Sequence, residues 1–239
     1  MDALWLQIVQ WLHTVGLHVD AGTAQAVAEG AERATRQLDM PSLLALAAAL
    51  GWASGVRLYA VVFTVGALGA LDWLALPPGL LVLEHPLVLL ACGFMLCVEF
   101  FADKVPLLDS VWDGVHAFIR VPAGALLAAG VFGADNVAMA VVAGLLGGSL
   151  SATALATKMT ARAAANTSPE PFSNWGLSFL EDGLVAGLVW LALQHPVWFG
   201  VALVLVLAVS VLLLVVLFKF LRAVSRRVFF FLSEPAKVV

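Results

Sequence analysis

Residues 197–218 read VWFGVALVLVLAVSVLLLVVLF, a run without one charged side chain that closes at Lys219. A helix needs about 20 apolar residues to cross about 30 Å of hydrocarbon, and nothing interrupts this run. Working outward by the same rule, the chain divides into about six spans, at roughly 42–70, 86–102, 110–132, 137–161, 173–194 and 197–218. Pro41, Pro86 and Pro196 stand at span starts, where a missing N–H costs nothing. Glu99 shortens the charge-free part of the second span, which leaves open whether that segment crosses fully or re-enters.

Composition agrees with the spans. Of 239 residues 62% are hydrophobic and 12% charged, with mean hydropathy +1.01, whereas soluble domains are about 45–50% apolar and about 25% charged. The predicted fold is an all-α polytopic transmembrane helix bundle. Its expected divisions are amphipathic or cytoplasmic helices over 1–41, the bundle over 42–222 and a basic-aromatic tail over 223–239. A net charge of −4 with 12 basic residues excludes nucleic acid as a partner. Cys92 and Cys97 lie in one apolar run, so no disulfide framework or paired-cysteine metal site is expected.

With both termini cytoplasmic, ten of the 12 Lys/Arg fall on the inner side, among them Lys104, Lys158, Arg162 and Lys219. Asp72, Glu84 and Asp135 fall outside. That is the positive-inside bias, and it predicts cytoplasmic N- and C-termini. Residues 1–17 lack a basic n-region and read as an interfacial helix with Trp5 and Trp11 at headgroup level. A weak parallel repeat relates Pro106, Ser110, Trp112, Ala123 and Gly124 to Pro169, Ser173, Trp175, Ala186 and Gly187.

The remaining two basic residues, Arg57 and Arg120, sit inside spans, where a charge costs about 2.5–3.5 kcal/mol even on mild scales. Glu181 and Asp182 reach a similar depth in the fifth span. In the third span Asp109, Asp113, His116 and Arg120 follow i, i+4, i+7, i+11 and so share one helix face, two residues before Pro122. Asn174, Ser178 and Glu181 share a face of the fifth span. The count is two deep cations against four acids, Glu99, Asp113, Glu181 and Asp182. Neutrality then requires protonated carboxyls, a charged His116 or a bound cation.

Four strings carry a resemblance: GWASGVRLY at 51–59, ADKVPLLDSVWD at 102–113, IRVPAGALLA at 119–128 and NTSPEPFSNWGLSFLED at 166–182. Together they resemble a bacterial membrane family catalogued as domain of unknown function 4126, over roughly residues 42–195. The resemblance implies a multi-helix inner-membrane protein and no particular activity. It marks Ser54, Arg57, Tyr59, Asp103, Lys104, Asp109, Trp112, Arg120, Pro122, Pro169, Glu170, Ser173, Asn174, Trp175, Glu181 and Asp182.

The favoured reading is a transporter or channel that couples protons to a small anion or phosphorylated (lipid) substrate. Arg57, Arg120, Ser54, Ser173 and Asn174 would bind the substrate, and Asp113, His116, Glu181, Asp182 and Glu99 would carry protons. One alternative is a cation transporter with Asp113, His116, Glu181 and Asp182 as ligands, the metal, if any, unknown. A second is a structural or partner-binding membrane protein. A third is a lipid-modifying enzyme, for which the Asp109–Arg120 spacing departs from the CDP-alcohol phosphotransferase motif, and no hydrolase pattern is present. The reading therefore leans away from an enzyme and names no catalytic residue and no cofactor. Expected partners are membrane lipids and the small ion or phosphorylated substrate, and a homo-oligomer is compatible.

Overall fold

The computed structural model describes residues 39–105, 108–133, 136–167 and 171–233. Of the N-terminal helices expected over 1–41, residues 1–38 lie outside these, as do the last six residues of the tail, while Met40 and Pro41 open the first described helix. Among the described residues six α-helices follow one another: α1 (Met40–Ala70), α2 (Pro86–Ala102), α3 (Leu108–Gly130), α4 (Val137–Ala165), α5 (Pro171–Gln194) and α6 (Pro196–Ser233). A short 3-10 helix, Pro78–Glu84, precedes α2, and no strand occurs among the described residues. The protein is an all-α membrane bundle.

The helix starts follow local chemistry. Asp39 caps α1, its Oδ1 accepting from the Ser42 N–H at 3.1 Å, and Pro41 fills the first turn. The Ser42 hydroxyl, and after it this N–H, hold the Asp39 carboxyl below its ordinary value. Asn136 caps α4 through the Met139 N–H at 3.1 Å. His85 caps α2 by accepting from the Leu87 N–H at 3.2 Å. At the other end of the chain, α6 runs unbroken to Ser233, through the position where the tail was expected to begin.

By length and composition α1, α4, α5 and α6 can each cross a membrane. The 3-10 helix and α2 together form a fifth, bent by 68° at the break between them. The remaining expected span, the third, is α3, which has 23 residues and so is about 34 Å long. Its acids and arginine lower its apolarity, but the charged face is turned inward: Asp109, Asp113, His116, Arg120 and Gly124 are all buried. Outside, the bundle presents Leu90, Phe94, Leu145, Val204 and Leu212. The largest wholly buried side chains are instead Arg57, Arg120 and Arg162. Apolar surface around a charged interior is the arrangement that hydrocarbon solvent selects.

Three helices meet at small residues. A side chain at Gly55 would overlap the Ser151 carbonyl, and one at Gly51 would overlap the Gly147 backbone, so α1 and α4 touch along their main chains. On the same seam Ser54 donates to the Gly51 carbonyl at 2.8 Å, and its Oγ lies 3.3 Å from Ser151 Oγ. Ser151 in turn donates to the Arg120 carbonyl of α3 at 3.0 Å. Just past this seam α1 breaks at Arg57, whose φ of −143° and ψ of 73° are not helical.

Candidate functional site

The break in α1 is where the charged interior begins. The Val56 carbonyl accepts from Lys158 Nζ of α4 at 3.2 Å. Non-helical backbone at membrane depth persists only when protein satisfies it, and here a lysine does so. The same ammonium lies 3.2 Å from Asp103, 3.2 Å from Asp113, 3.6 Å from Glu181 and 3.8 Å from Glu99. One cation thus joins carboxylates from α2, the α2–α3 connection, α3 and α5.

Arg120 organises one side of this centre. Its two terminal nitrogens go to different acids, Nη2 to Glu99 at 2.5 Å and Nη1 to Asp113 at 2.6 Å. Arg57 and Arg162 organise the other. Arg57 Nη1 meets Asp103 at 3.0 Å, Nε meets Asp182 at 3.0 Å and Glu181 at 3.8 Å, and Nη2 donates to Ser178 Oγ at 2.7 Å. Arg162 grips Glu181 with two nitrogens, at 3.2 and 2.9 Å, the forked geometry that guanidinium and carboxylate share. It also donates to the Asp103 carbonyl at 2.6 Å and meets Asp109 at 3.9 Å. Asp103 Oδ2 therefore receives Arg57, Lys158 and Arg162 together. At the far end the Asn166 amide holds both oxygens of Asp109, at 3.0 and 3.2 Å, and Asn174 donates to Asn166 at 2.7 Å.

The connected groups are four cations (Arg57, Arg120, Lys158, Arg162) and six carboxylates (Glu99, Asp103, Asp109, Asp113, Glu181, Asp182). The formal surplus is two negative charges. Several buried acceptors have no hydrogen-bond partner among the described residues: Glu99 Oε2, Asp103 Oδ1, Asp113 Oδ2 and Asn174 Oδ1. An unpaired buried oxygen is costly, and a carboxyl proton on such an oxygen would supply the missing positive charge. The unpaired donors in the network are Arg120 Nε and the Nε and Nη1 of Arg57, the latter two facing carboxylates as ion pairs without a hydrogen bond.

Several sequence expectations change at this point. Lys158 and Arg162, counted there as cytoplasmic loop residues, lie within α4 and are 4% and 0% exposed. They and Asp103 are hubs of the site that depth reasoning left out. Arg57 and Arg120, expected to offer forked donors to a substrate anion, have them turned onto carboxylates. Ser54 ties helices together at the α1–α4 seam. Ser173 is exposed at the start of α5, and it is Ser178, one turn further, that meets Arg57. Asn174 is buried, and its carbonyl accepts from Arg162 at 3.3 Å. Asp182 is the outermost acid, with its side chain 36% exposed against 10% for Glu181 and none for Glu99, Asp103 or Asp113.

His116 does not join the network. Its Nδ1 pairs with the Trp112 carbonyl at 2.9 Å, its ring stacks on Trp112 at 4.1 Å, and the edge of Tyr59 closes it off at 5.8 Å. The ligand set Asp113, His116, Glu181 and Asp182 is therefore not assembled. Among the described residues no three His, Cys, Asp or Glu side chains are grouped so as to hold a metal ion.

Two cavities border the site. One, about 340 Å³, lies among α1, α4, α5 and α6, with Lys158 and Glu181 at its edge and otherwise mostly apolar walls. The other, about 700 Å³, is a cleft backed by α1 and walled by α2 and α5, with Asp182 in its lining. Lys104 lies over the ring of Phe100, a lining residue, 2.9 Å from the centroid, and donates to the Phe100 carbonyl at 3.2 Å. Burial, reinforced by Arg57, pushes the Lys104 ammonium below its ordinary value.

The family model described as Domain of unknown function (DUF4126) matches residues 44–216, and the chain belongs to that family. No curated protein and no solved structure matches the chain.

Proposed function

We propose that this member of the family is a proton-coupled membrane transporter, with the buried Lys/Arg–carboxylate network as its proton-carrying element. One observation carries the reading: six carboxylates share four cations at the broken centre of the bundle, and three of them keep a buried oxygen without a partner. Such a network reaches neutrality by taking up protons. Each proton gained or lost alters which carboxylate Lys158 and the arginines hold, and so biases the packing of α1, α2, α4 and α5 against one another.

Broken helices at a polar centre support the same reading. α1 is interrupted at Arg57, the 3-10 helix and α2 meet at 68°, and α3 carries Pro122 beside Arg120. Secondary transporters use discontinuous helices of this kind around their binding sites. The arrangement gives less support to an anionic substrate, because all three buried arginines are already engaged by acids.

The test is proton movement in liposomes that contain the purified protein and an internal pH dye. A potassium diffusion potential is imposed with valinomycin, with and without tetraphenylphosphonium on the opposite side. The expected result is luminal pH change faster than in protein-free vesicles, reduced at least about tenfold in Asp113→Asn, which removes one titratable site from the centre. Proton flux equal to that of protein-free vesicles under both conditions overturns the proposal.

A further inference from the structure

The larger cleft differs from an ordinary groove between membrane helices in one respect. Leu68, Leu96, Val185 and Leu193 give it apolar walls, yet its single charged lining residue is Asp182. That carboxylate belongs to the network, where Arg57 approaches its Oδ1 at 3.0 Å. Since Asp182 is the one acid of the six with appreciable exposure, the negative surplus of the interior opens to a ligand here.

We infer that the cleft between α2 and α5 binds a lipophilic amine, its ammonium on Asp182 and its hydrocarbon body along the apolar walls. The size fits: about 700 Å³ lies within the range of small-molecule sites, which are mostly apolar with a few placed polar groups. Leu193 lies eleven residues beyond Asp182 along the α5 wall, or about 16 Å, the length of a medium alkyl chain. An anionic headgroup would meet the carboxylate directly. Lys104 lies within range of the Asp182 charge, but its ammonium sits on the Phe100 ring and donates to the Phe100 carbonyl. A neutral alcohol could donate to the carboxylate but would bring no positive charge to offset it. That the bound amine is also the transported substrate rests on the proton-coupled reading; its binding does not.

The test uses a thiol already in place, since Cys97 is exposed and lines the same cleft. With Cys92→Ala leaving a single cysteine, the alkylation rate of Cys97 by N-ethylmaleimide is measured in proteoliposomes, with dodecylamine, dodecanol or dodecanoate added at equal membrane concentration. Dodecylamine is expected to slow alkylation about tenfold more than dodecanoate, the ratio for one charge-assisted hydrogen bond. Asp182→Asn should abolish that preference. In Ala186→Phe, which fills the cleft from the α5 wall and leaves the network intact, no chain should protect. Equal protection by amine and dodecanoate overturns the inference in favour of a plain acyl-chain groove, and so does an amine preference that persists in Asp182→Asn. Protection that survives Ala186→Phe, or no protection at all, also overturns it. Because the assay reads occupancy, a positive result with no proton flux refutes transport alone, and a negative result with flux refutes only the amine site.

Discussion

Replacing Lys158 with Met removes the bridge between the two sides of the charged centre while keeping a side chain of similar length. Four carboxylates lie within 3.8 Å of the lost ammonium, and the Val56 carbonyl loses its donor. The formal surplus rises from two negative charges to three. Removing one partner from a buried ion network costs about 3–5 kcal/mol, and for a domain of this size each kcal/mol shifts the unfolding temperature by about 2–4 °C. Thermal unfolding of the purified protein in detergent should therefore fall by about 6–20 °C at pH 7. The sign of the pH dependence is fixed by linkage. A folded variant that takes up a proton which the unfolded chain releases binds more protons in the native state, so its stability increases as pH falls, by about 1.4 kcal/mol per unit for one proton. The deficit should shrink between pH 7 and pH 5. Adding Asp113→Asn to Lys158→Met returns the surplus to two and should restore more than half of the loss, a coupling that distant sites do not show. A single variant within about 2 °C of the parent, or a double variant less stable than the single, would refute the reasoning.

The other expectations are briefer. Gly55→Leu should abolish folding, read as loss of the monodisperse detergent peak, because its side chain overlaps the Ser151 carbonyl of α4. Arg120→Lys keeps the charge but cannot reach Glu99 and Asp113 through separate nitrogens, so unfolding in denaturant should show a loss of about 1–3 kcal/mol. His116→Phe should leave the pH profile of proton flux unchanged, since the imidazole is enclosed by Trp112 and Tyr59 away from the acids; a shifted profile would restore a relay role.

How far the sequence reaches depends on which pattern each residue obeys. The charged face of α3 was legible because Asp109, Asp113, His116 and Arg120 keep helical spacing, and all four are buried. Lys158 and Arg162 were not, because a basic residue near a span end reads as a loop marker under the positive-inside rule. A signal was nevertheless present: Gly147, Ser151, Leu155, Lys158 and Arg162 continue one buried stripe of α4 at steps of three and four. Asp103 was marked only by family resemblance, since nothing in its local sequence tells that three cations converge on it. The partners of His116 depend on ring contacts between helices, which spacing along one helix does not encode.

A purely structural lock is the main competitor to a working site, and charge balance separates the two. Burying ion pairs rarely adds net stability over apolar packing, and a lock built from pairs would still tend to match cations to acids. Here two acids are in excess, and three carboxylates present an oxygen that no described donor meets. The mismatch is not confined to a distant corner. Glu99 and Asp113 share Arg120, and Asp103 shares three cations, so each unpaired oxygen belongs to a group that also holds helices together. A proton arriving at any of these carboxyls therefore weakens a contact between helices as it relieves the excess charge. In a lock that linkage is a defect; in a transporter it couples proton binding to helix movement. Apolar replacement distinguishes them. Arg162→Met combined with Glu181→Met removes one cation and one acid, leaving the surplus at two. A lock should tolerate the change, with unfolding near that of the parent and proton flux, if any, unaffected. A working site should lose proton flux by at least about tenfold even where the double variant unfolds no lower than the parent, because Glu181 links Arg162, Lys158 and Arg57 across α4, α5 and the break in α1.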